Sequence, residues 1–241
     1  MNDHLTQPRA GGPEPVRLVV VSAGVSDPSS TRMLADRVAG KALEALRRGG
    51  RDATASVIEL APIAGDIARA VVAGHLDGPV QEAVDRIAAA DVLVMSTPVY
   101  KAGVSGLFKS FVDVLDDDLV IATPVVLAAT AGSERHAMVV DDQMRPLFAF
   151  LRALPVPTSL FATPDDWASP AFTRRIERAA GELAHLVDAG IRTTIADSEW
   201  DGYQHRFAGN ATRSQRSVDD VDFDTDLMRL ATGGAPRADQ R

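Results

Sequence analysis

The sequence predicts an α/β domain, a doubly wound, mostly parallel five-stranded sheet with helices on both faces. Three observations carry this expectation. Five short apolar runs recur along the chain, separated by helical segments of ten or more residues, the alternation that parallel neighbours joined by right-handed crossovers require. The runs are unbroken rather than alternating polar and apolar, which suits strands covered on both faces. The 241 residues are 46% hydrophobic, enough for a sizeable core in one large domain or at most two.

The first run, VRLVVVS at 16–22, is dominated by β-branched residues. After the turn-forming loop AGVSDPSS, a helix is predicted with Met33, Leu34, Val38, Ala42, Leu43 and Leu46 at helical spacing and with Gly49 and Gly50 as its stop. A second strand at 53–60 leads through a Gly-containing connection to a helix at 79–90, whose apolar positions are Val80, Ala83, Val84 and Ile87. Then come a strand at 91–96, a helix at 106–115, a strand at 124–130 and a helix within 138–154 with Leu147, Phe150 and Leu151 inward. A fifth strand at 158–162 and a long helix at 171–189 complete the domain, which is expected to span 16–190.

Residues 1–15 carry acid, proline and glycine where a signal peptide needs a basic start and an apolar run, and they read as a flexible polar lead-in. Residues 191–241 are rich in charge, Asn, Ser and Gly. They read as an extension packing on its own domain or on another subunit, disordered after about Thr232. No stretch approaches the roughly 18 apolar residues of a membrane span, so a soluble, cytoplasmic protein is expected. Acidic residues outnumber basic ones by 33 to 25, a net charge of −8 that argues against nucleic acid as a partner. The absence of cysteine excludes disulfides, thiolate nucleophiles and Cys-ligated metals, so redox chemistry requires a bound cofactor. The five histidines, His4, His75, His136, His185 and His205, are scattered without an H-E-x-x-H pair, and no metal site is expected.

In doubly wound sheets, ligands bind beyond the carboxyl ends of the strands where the strand order reverses, which directs attention to the loops after the first, third and fourth strands. The first, AGVSDPSS, opens onto a helix N-terminus, where backbone N–H groups and the dipole favour an anion, and Ser26, Ser29, Ser30 and Thr31 add hydroxyls. On this loop alone two readings stand: a phosphate cradle, or a connection in which Ser30 caps the helix. Neither G-x-G-x-x-G nor a P-loop is present. In the second loop, TPVYKAGVS, Pro98 forces an extended path while Gly103 and Gly106 admit close approach of a flat ring.

The stretch TPVYKAGVSGLFKSFVD resembles the flavin-contacting segment of NADPH-dependent FMN reductases of flavodoxin-like fold. SAGVSDPSSTRML resembles that family's phosphate loop, and ATAGSERHAMVVDDQMRPL matches in type and place the loop beside the flavin's pyrimidine edge. The resemblance runs from about Val16 to about Ala189, and residues 208–234 are similar to the C-terminal part of a subgroup associated with luciferase-like monooxygenases. It implies that Ser22, Ser29, Ser30, Thr31 and Arg32 surround the phosphate of FMN. Thr97, Pro98, Val99, Tyr100 and Gly103 would flank the ribityl chain and ring, and Thr130, Ala131, Gly132 and Ser133 would meet the ring edge. It further implies hydride transfer from NADPH or NADH to FMN with no obligatory catalytic side chain, a flavin-dependent monooxygenase as partner, and a homodimer or homotetramer.

Blander roles compete at several positions. Tyr100 also fits a boundary aromatic sealing the sheet end, Lys101 and Lys109 read as solvated, Asp113 as a helix-surface or subunit contact, and His136 as helix-start packing. Asn210-Ala211-Thr212 reads as a chance sequon. Phe108, Phe111 and Leu115 are expected to supply a subunit contact. Rival functions are an FMN-containing quinone or azo reductase and a non-enzymatic flavodoxin-like carrier. Such carriers clamp the flavin with aromatics on both sides, whereas only Tyr100 stands in these three loops. A receiver-type signalling domain needs carboxylates where Ser22 and Ser96 end their strands, so that reading fails.

Overall fold

The computed structural model describes residues 14–199; the predicted lead-in before residue 14, the expected disorder after Thr232, the sequon and the similarity at 208–234 lie outside them. The chain alternates β1 (Val16–Ser22), α1 (Ser30–Arg48), β2 (Ala53–Glu59), α2 (Ala64–Ala73), α3 (Gly78–Ala88), β3 (Val92–Tyr100), β4 (Gly103–Val104), α4 (Gly106–Asp113) and β5 (Pro124–Thr130). It continues through α5 (Arg145–Phe150), β6 (Leu154–Pro155), β7 (Leu160–Ala162), α6 (Pro170–Asp188) and α7 (Ile191–Glu199). The sheet order is β2-β1-β3-β5, with β6 and β7 both on the far side of β5, and all these pairs are parallel. The order reverses between β1 and β3, the switch point of a doubly wound sheet.

The unbroken apolar strands sort into two cores. Val19, Val21, Leu93, Met95, Val125 and Leu127 face α2, α3, α4 and α5, while Val16, Leu18, Val20, Val92, Val94 and Val126 face α1 and α6. With side chains alternating in direction along each strand, burial on both faces is what removes the polar positions from the pattern.

Several elements differ from the sequence expectation. The fifth strand is split into β6 and β7: the Leu154 and Val156 amides donate to the Thr123 and Val125 carbonyls of the neighbouring edge at 2.9 Å, but the Thr158 amide, next in that series, donates to Glu182 Oε2 at 2.8 Å and leaves the ladder. Helix α2 occupies the presumed connection, hidden from periodicity because Ile67 and Ala70 are its only buried residues. β3 runs four residues past Ser96, through Pro98, to Tyr100. Phe150 points outward and Phe148 inward; the inward face is set by Val140 and Met144 in a π-helical turn ahead of α5, and α5 itself is too short to reveal its phase. Phe108, Phe111 and Leu115 are buried in the first core, so they supply no subunit contact. The start of the extension is helix α7, held to its own domain by Arg192 Nη1 at 3.4 Å from Asp91 Oδ1. Among the described residues, no helix is long and apolar enough to cross a membrane.

Candidate active site at the carboxyl edge

A cleft of about 230 Å³ opens at the carboxyl ends of β1, β3, β5 and β7. Its first wall is the β1–α1 loop. Ser29, not Ser30, caps the helix: its Oγ accepts from the Arg32 amide at 3.2 Å, and its carbonyl accepts from the Met33 amide at 2.9 Å. Ser30 is thereby left exposed at the cleft. Among the described residues, no acceptor in the chain meets the amides of Ser26, Ser30 or Thr31, so the wall presents uncommitted donors at the positive end of a 19-residue helix. Gly24 makes the tight turn possible, since a Cβ there would lie 1.9 Å from Ser29 Oγ.

Beneath the cleft, buried hydroxyls tie the walls together. Thr31 Oγ1 and Thr130 Oγ1 lie 2.7 Å apart, joining the first turn of α1 to the end of β5, and Ser96 Oγ donates to the Thr31 carbonyl at 3.1 Å. Ser22 is buried, with its Oγ accepting from the Gly24 amide at 3.4 Å, and it pairs in register with Ser96. Thr97 is also buried; its Oγ1 accepts from the Ser105 amide at 3.2 Å and closes the turn into α4.

The second wall is Pro98, Val99 and Tyr100, the end of β3. Tyr100 is 51% exposed, so it stands at the mouth of the cleft and does not seal the sheet end. The third wall is Thr130, Ala131 and Gly132, with open space where a Cβ of Gly132 would stand. The fourth wall, Ala162, Thr163, Pro164 and Trp167, escaped the sequence analysis. Its signal was legible, because it follows the fifth strand as the other walls follow theirs, and Thr163 with Asp166 forms a capping box: the Thr163 amide and hydroxyl both reach Asp166 Oδ2 at 2.8 Å. Trp167 corrects the count of aromatics, which Tyr100 does not supply alone.

Of the predicted site residues, Ser30, Thr31, Pro98, Val99, Tyr100, Thr130, Ala131 and Gly132 line the cleft, whereas Ser22, Ser29, Arg32, Thr97, Gly103 and Ser133 do not. The Arg32 guanidinium is engaged by Asp36 at 2.8 Å and Glu59 at 2.6 Å, and these partners, Asp36 foremost, hold its pKa above the ordinary value. His136 lies half-buried in a short 3₁₀ turn outside the lining, and Lys109 pairs with Asp113 on α4.

Hollows of about 340 and 510 Å³ lie elsewhere. Volume does not decide between them, because only the carboxyl edge combines a topological switch point with unpaired donors. The residues of the smaller cleft fit FMN: uncommitted amides and hydroxyls for a phosphate, small side chains for a flat ring, and one open side.

Comparisons with known proteins agree. The family described as NADPH-dependent FMN reductase matches residues 16–168. The chain is 38% identical to the NADH-dependent FMN reductase SfnE of Pseudomonas putida over 73% of its length and 94% of that protein's. It is 36% identical to an FMN reductase (NADPH) of Pseudomonas aeruginosa over 71% and 92%. Among solved structures, an oxidoreductase from Corynebacterium diphtheriae superposes with a TM-score of 0.70 at 42% identity, covering 73% of this chain and 98% of the other. An NADH:FMN oxidoreductase in its apo form shares the fold, with a TM-score of 0.63 at 24% identity over 73% and 94%. A matching family description over most of the domain, relatives aligned nearly end to end, and a cleft whose donors suit the flavin converge, and the chain belongs to the NADPH-dependent FMN reductase family.

Proposed function

We propose that this NAD(P)H-dependent FMN reductase binds FMN across the carboxyl-edge cleft and releases it reduced, to be used by a flavin-dependent monooxygenase. The uncommitted amides of the β1–α1 loop carry the site assignment. In it, the amides of Ser26, Ser30 and Thr31 and the Ser30 hydroxyl hold the phosphate, and Arg32, already matched by two carboxylates, adds no direct contact. Pro98, Val99 and Tyr100 flank the ring, and the Gly132 amide lies at its edge, placed to stabilise negative charge gained on reduction. When bound, FMN supplies the hydride-accepting ring; the chain's task is to orient it and leave one face free for the nicotinamide. No side chain need act as acid, base or nucleophile.

The release of reduced flavin is supported by the small volume of the cleft, whose 230 Å³ falls below the roughly 300–1,000 Å³ of pockets that enclose their ligands. A reductase that retains FMN and passes electrons to quinones or azo compounds is the competing outcome. An absorbance spectrum of the purified protein, followed by NAD(P)H consumption with and without added FMN, separates the two: a colourless protein whose turnover requires free FMN supports release, and a yellow protein active on quinones overturns it. Replacing Ser30 and Thr31 together by alanine is expected to weaken FMN binding about tenfold or more, the worth of hydrogen bonds to a charged group. Unchanged affinity in a fluorescence titration removes the hydroxyls from the cradle, and a wild-type affinity also in Ser30→Pro, which lacks that amide, removes the cradle assignment itself.

A further inference from the structure

We infer that Gln143 is a positioning residue for the flavin site, a side-chain clip that sets the conformation of the β3–β4 hairpin. The inference rests on the proposal that Pro98, Val99 and Tyr100 flank the flavin. Gln143 sits in the π-helical turn Val140–Met144, far from the hairpin in sequence, yet both ends of its carboxamide reach that hairpin. Oε1 accepts from the Val104 amide at 3.1 Å, and Nε2 donates to the Ala102 carbonyl at 3.1 Å. Only this orientation of the amide satisfies both bonds, because the hairpin offers one donor and one acceptor.

The hairpin needs such help. Its ladder has only two residue pairs, Val99 with Val104 and Tyr100 with Gly103. The two residues of its turn, Lys101 and Ala102, have φ of 52° and 65°, a left-handed conformation that favours Gly or Asn and that neither side chain prefers. A two-stranded element this short and this poorly matched at its turn does not hold its shape alone. Gln143 gives the Val104 amide and the Ala102 carbonyl the partners that a further strand would have given. Gly103 shows how close the clip lies: a Cβ there would stand 3.1 Å from Gln143 Oε1. Tyr100, one residue before the turn, lines the cleft, so the orientation of the second wall depends on the loop that follows β5.

Two readouts on the full-length protein test the inference. In the flavin-free protein, limited trypsin digestion followed by mass spectrometry measures cleavage after Lys101. Q143L, which keeps the bulk and removes both hydrogen bonds, is expected to raise that cleavage rate about fivefold relative to other exposed sites, in line with the loss of two modest hydrogen bonds. With FMN and NAD(P)H, Q143L is expected to raise KM for FMN about fivefold while kcat stays within about twofold, because the clip shapes the site and does not touch the reacting atoms. Q143E keeps an acceptor for Val104 but sets a carboxylate against the Ala102 carbonyl, and it should fall no closer to wild type than halfway. G103A is expected to raise KM by itself yet add little on top of Q143A, where the space beside its Cβ is free. Unchanged cleavage at Lys101 in Q143L, additive effects of G103A and Q143A, or equal losses in kcat and thermal stability would each overturn the clip. Failure of the flavin site itself reads differently: the cleavage change would persist while FMN affinity stayed at the wild-type value in Q143L and in the Ser30/Thr31 double variant alike.

Discussion

The two ends of the sheet use polar groups in opposite ways. At the amino end, Asp91 closes its surroundings on itself: its carboxylate accepts from the Arg17 amide at 2.8 Å and lies within 3.3 and 3.4 Å of the Arg17 and Arg192 guanidiniums. At the carboxyl end, Ser26, Ser30 and Thr31 line the cleft with no acceptor in the described chain for their amides, and no charged side chain stands among the described residues of the lining. The amino-end hollow is the larger, about 340 against 230 Å³, and still offers a ligand less, since binding there would first break existing ion pairs. The capacity to bind lies in the donors left over after the fold has satisfied itself.

The largest test of this contrast is Gly24→Ala. The new methyl would stand 1.9 Å from the cap hydroxyl of Ser29, so the β1–α1 loop must move. FMN affinity should fall by more than tenfold and stability by about 1–3 kcal/mol, read by titration and chemical denaturation. Thr130→Val comes next. It removes one partner of a buried hydroxyl pair and leaves Thr31 Oγ1 to find another, costing about 1–2 kcal/mol with a smaller rise in KM. An opposite pattern is expected at the amino end: Asp91→Ala should cost about 1 kcal/mol or less and leave KM for FMN unchanged. A flavin defect in that variant would erase the distinction between the two edges.

The smallest effect concerns pH. Burial pushes the Asp141 carboxyl up, but the Ser159 hydroxyl at 2.5 Å and the Arg145 guanidinium at 3.1 Å outweigh it and hold the group below its ordinary value of 3.8. A carboxylate with a lower pKa folded than unfolded stabilises fully above the unfolded value, and that contribution is lost as pH falls through the folded value. Asp141→Asn should therefore flatten the acid limb of a melting-temperature profile below about pH 4 and leave the neutral region nearly level.

Much of the fold was legible because it rests on local signals. The β-branched run at 16–22 and the apolar heptad-like face of α1 each declare a partner layer, and small polar loops at strand ends declare the site. What stayed hidden depends on contacts distant in sequence or on weak periodicity. Helix α2 exposes Val71 and Val72 and so carries no clean stripe. The broken fifth strand is decided by Glu182 on α6, a residue distant in sequence whose carboxylate takes both the amide and the hydroxyl of Thr158. Arg32 looked like a phosphate ligand from its place on the first turn, but Glu59 at the end of β2 reaches it across the sheet edge. Trp167 is hidden for a different reason: it stands five residues beyond the end of β7, on a loop without the run of small polar residues that marks the first wall.

The make-up of the cleft lining has a further consequence. Its side chains are hydroxyls, aliphatics, proline, indole and one phenol, with no carboxylate, imidazole or ammonium among the described residues that form it. A phosphate held in this cleft would therefore be met by amide and hydroxyl donors and not by a charged side chain of the described lining, which leaves the ligand's charge to be balanced by dipoles alone.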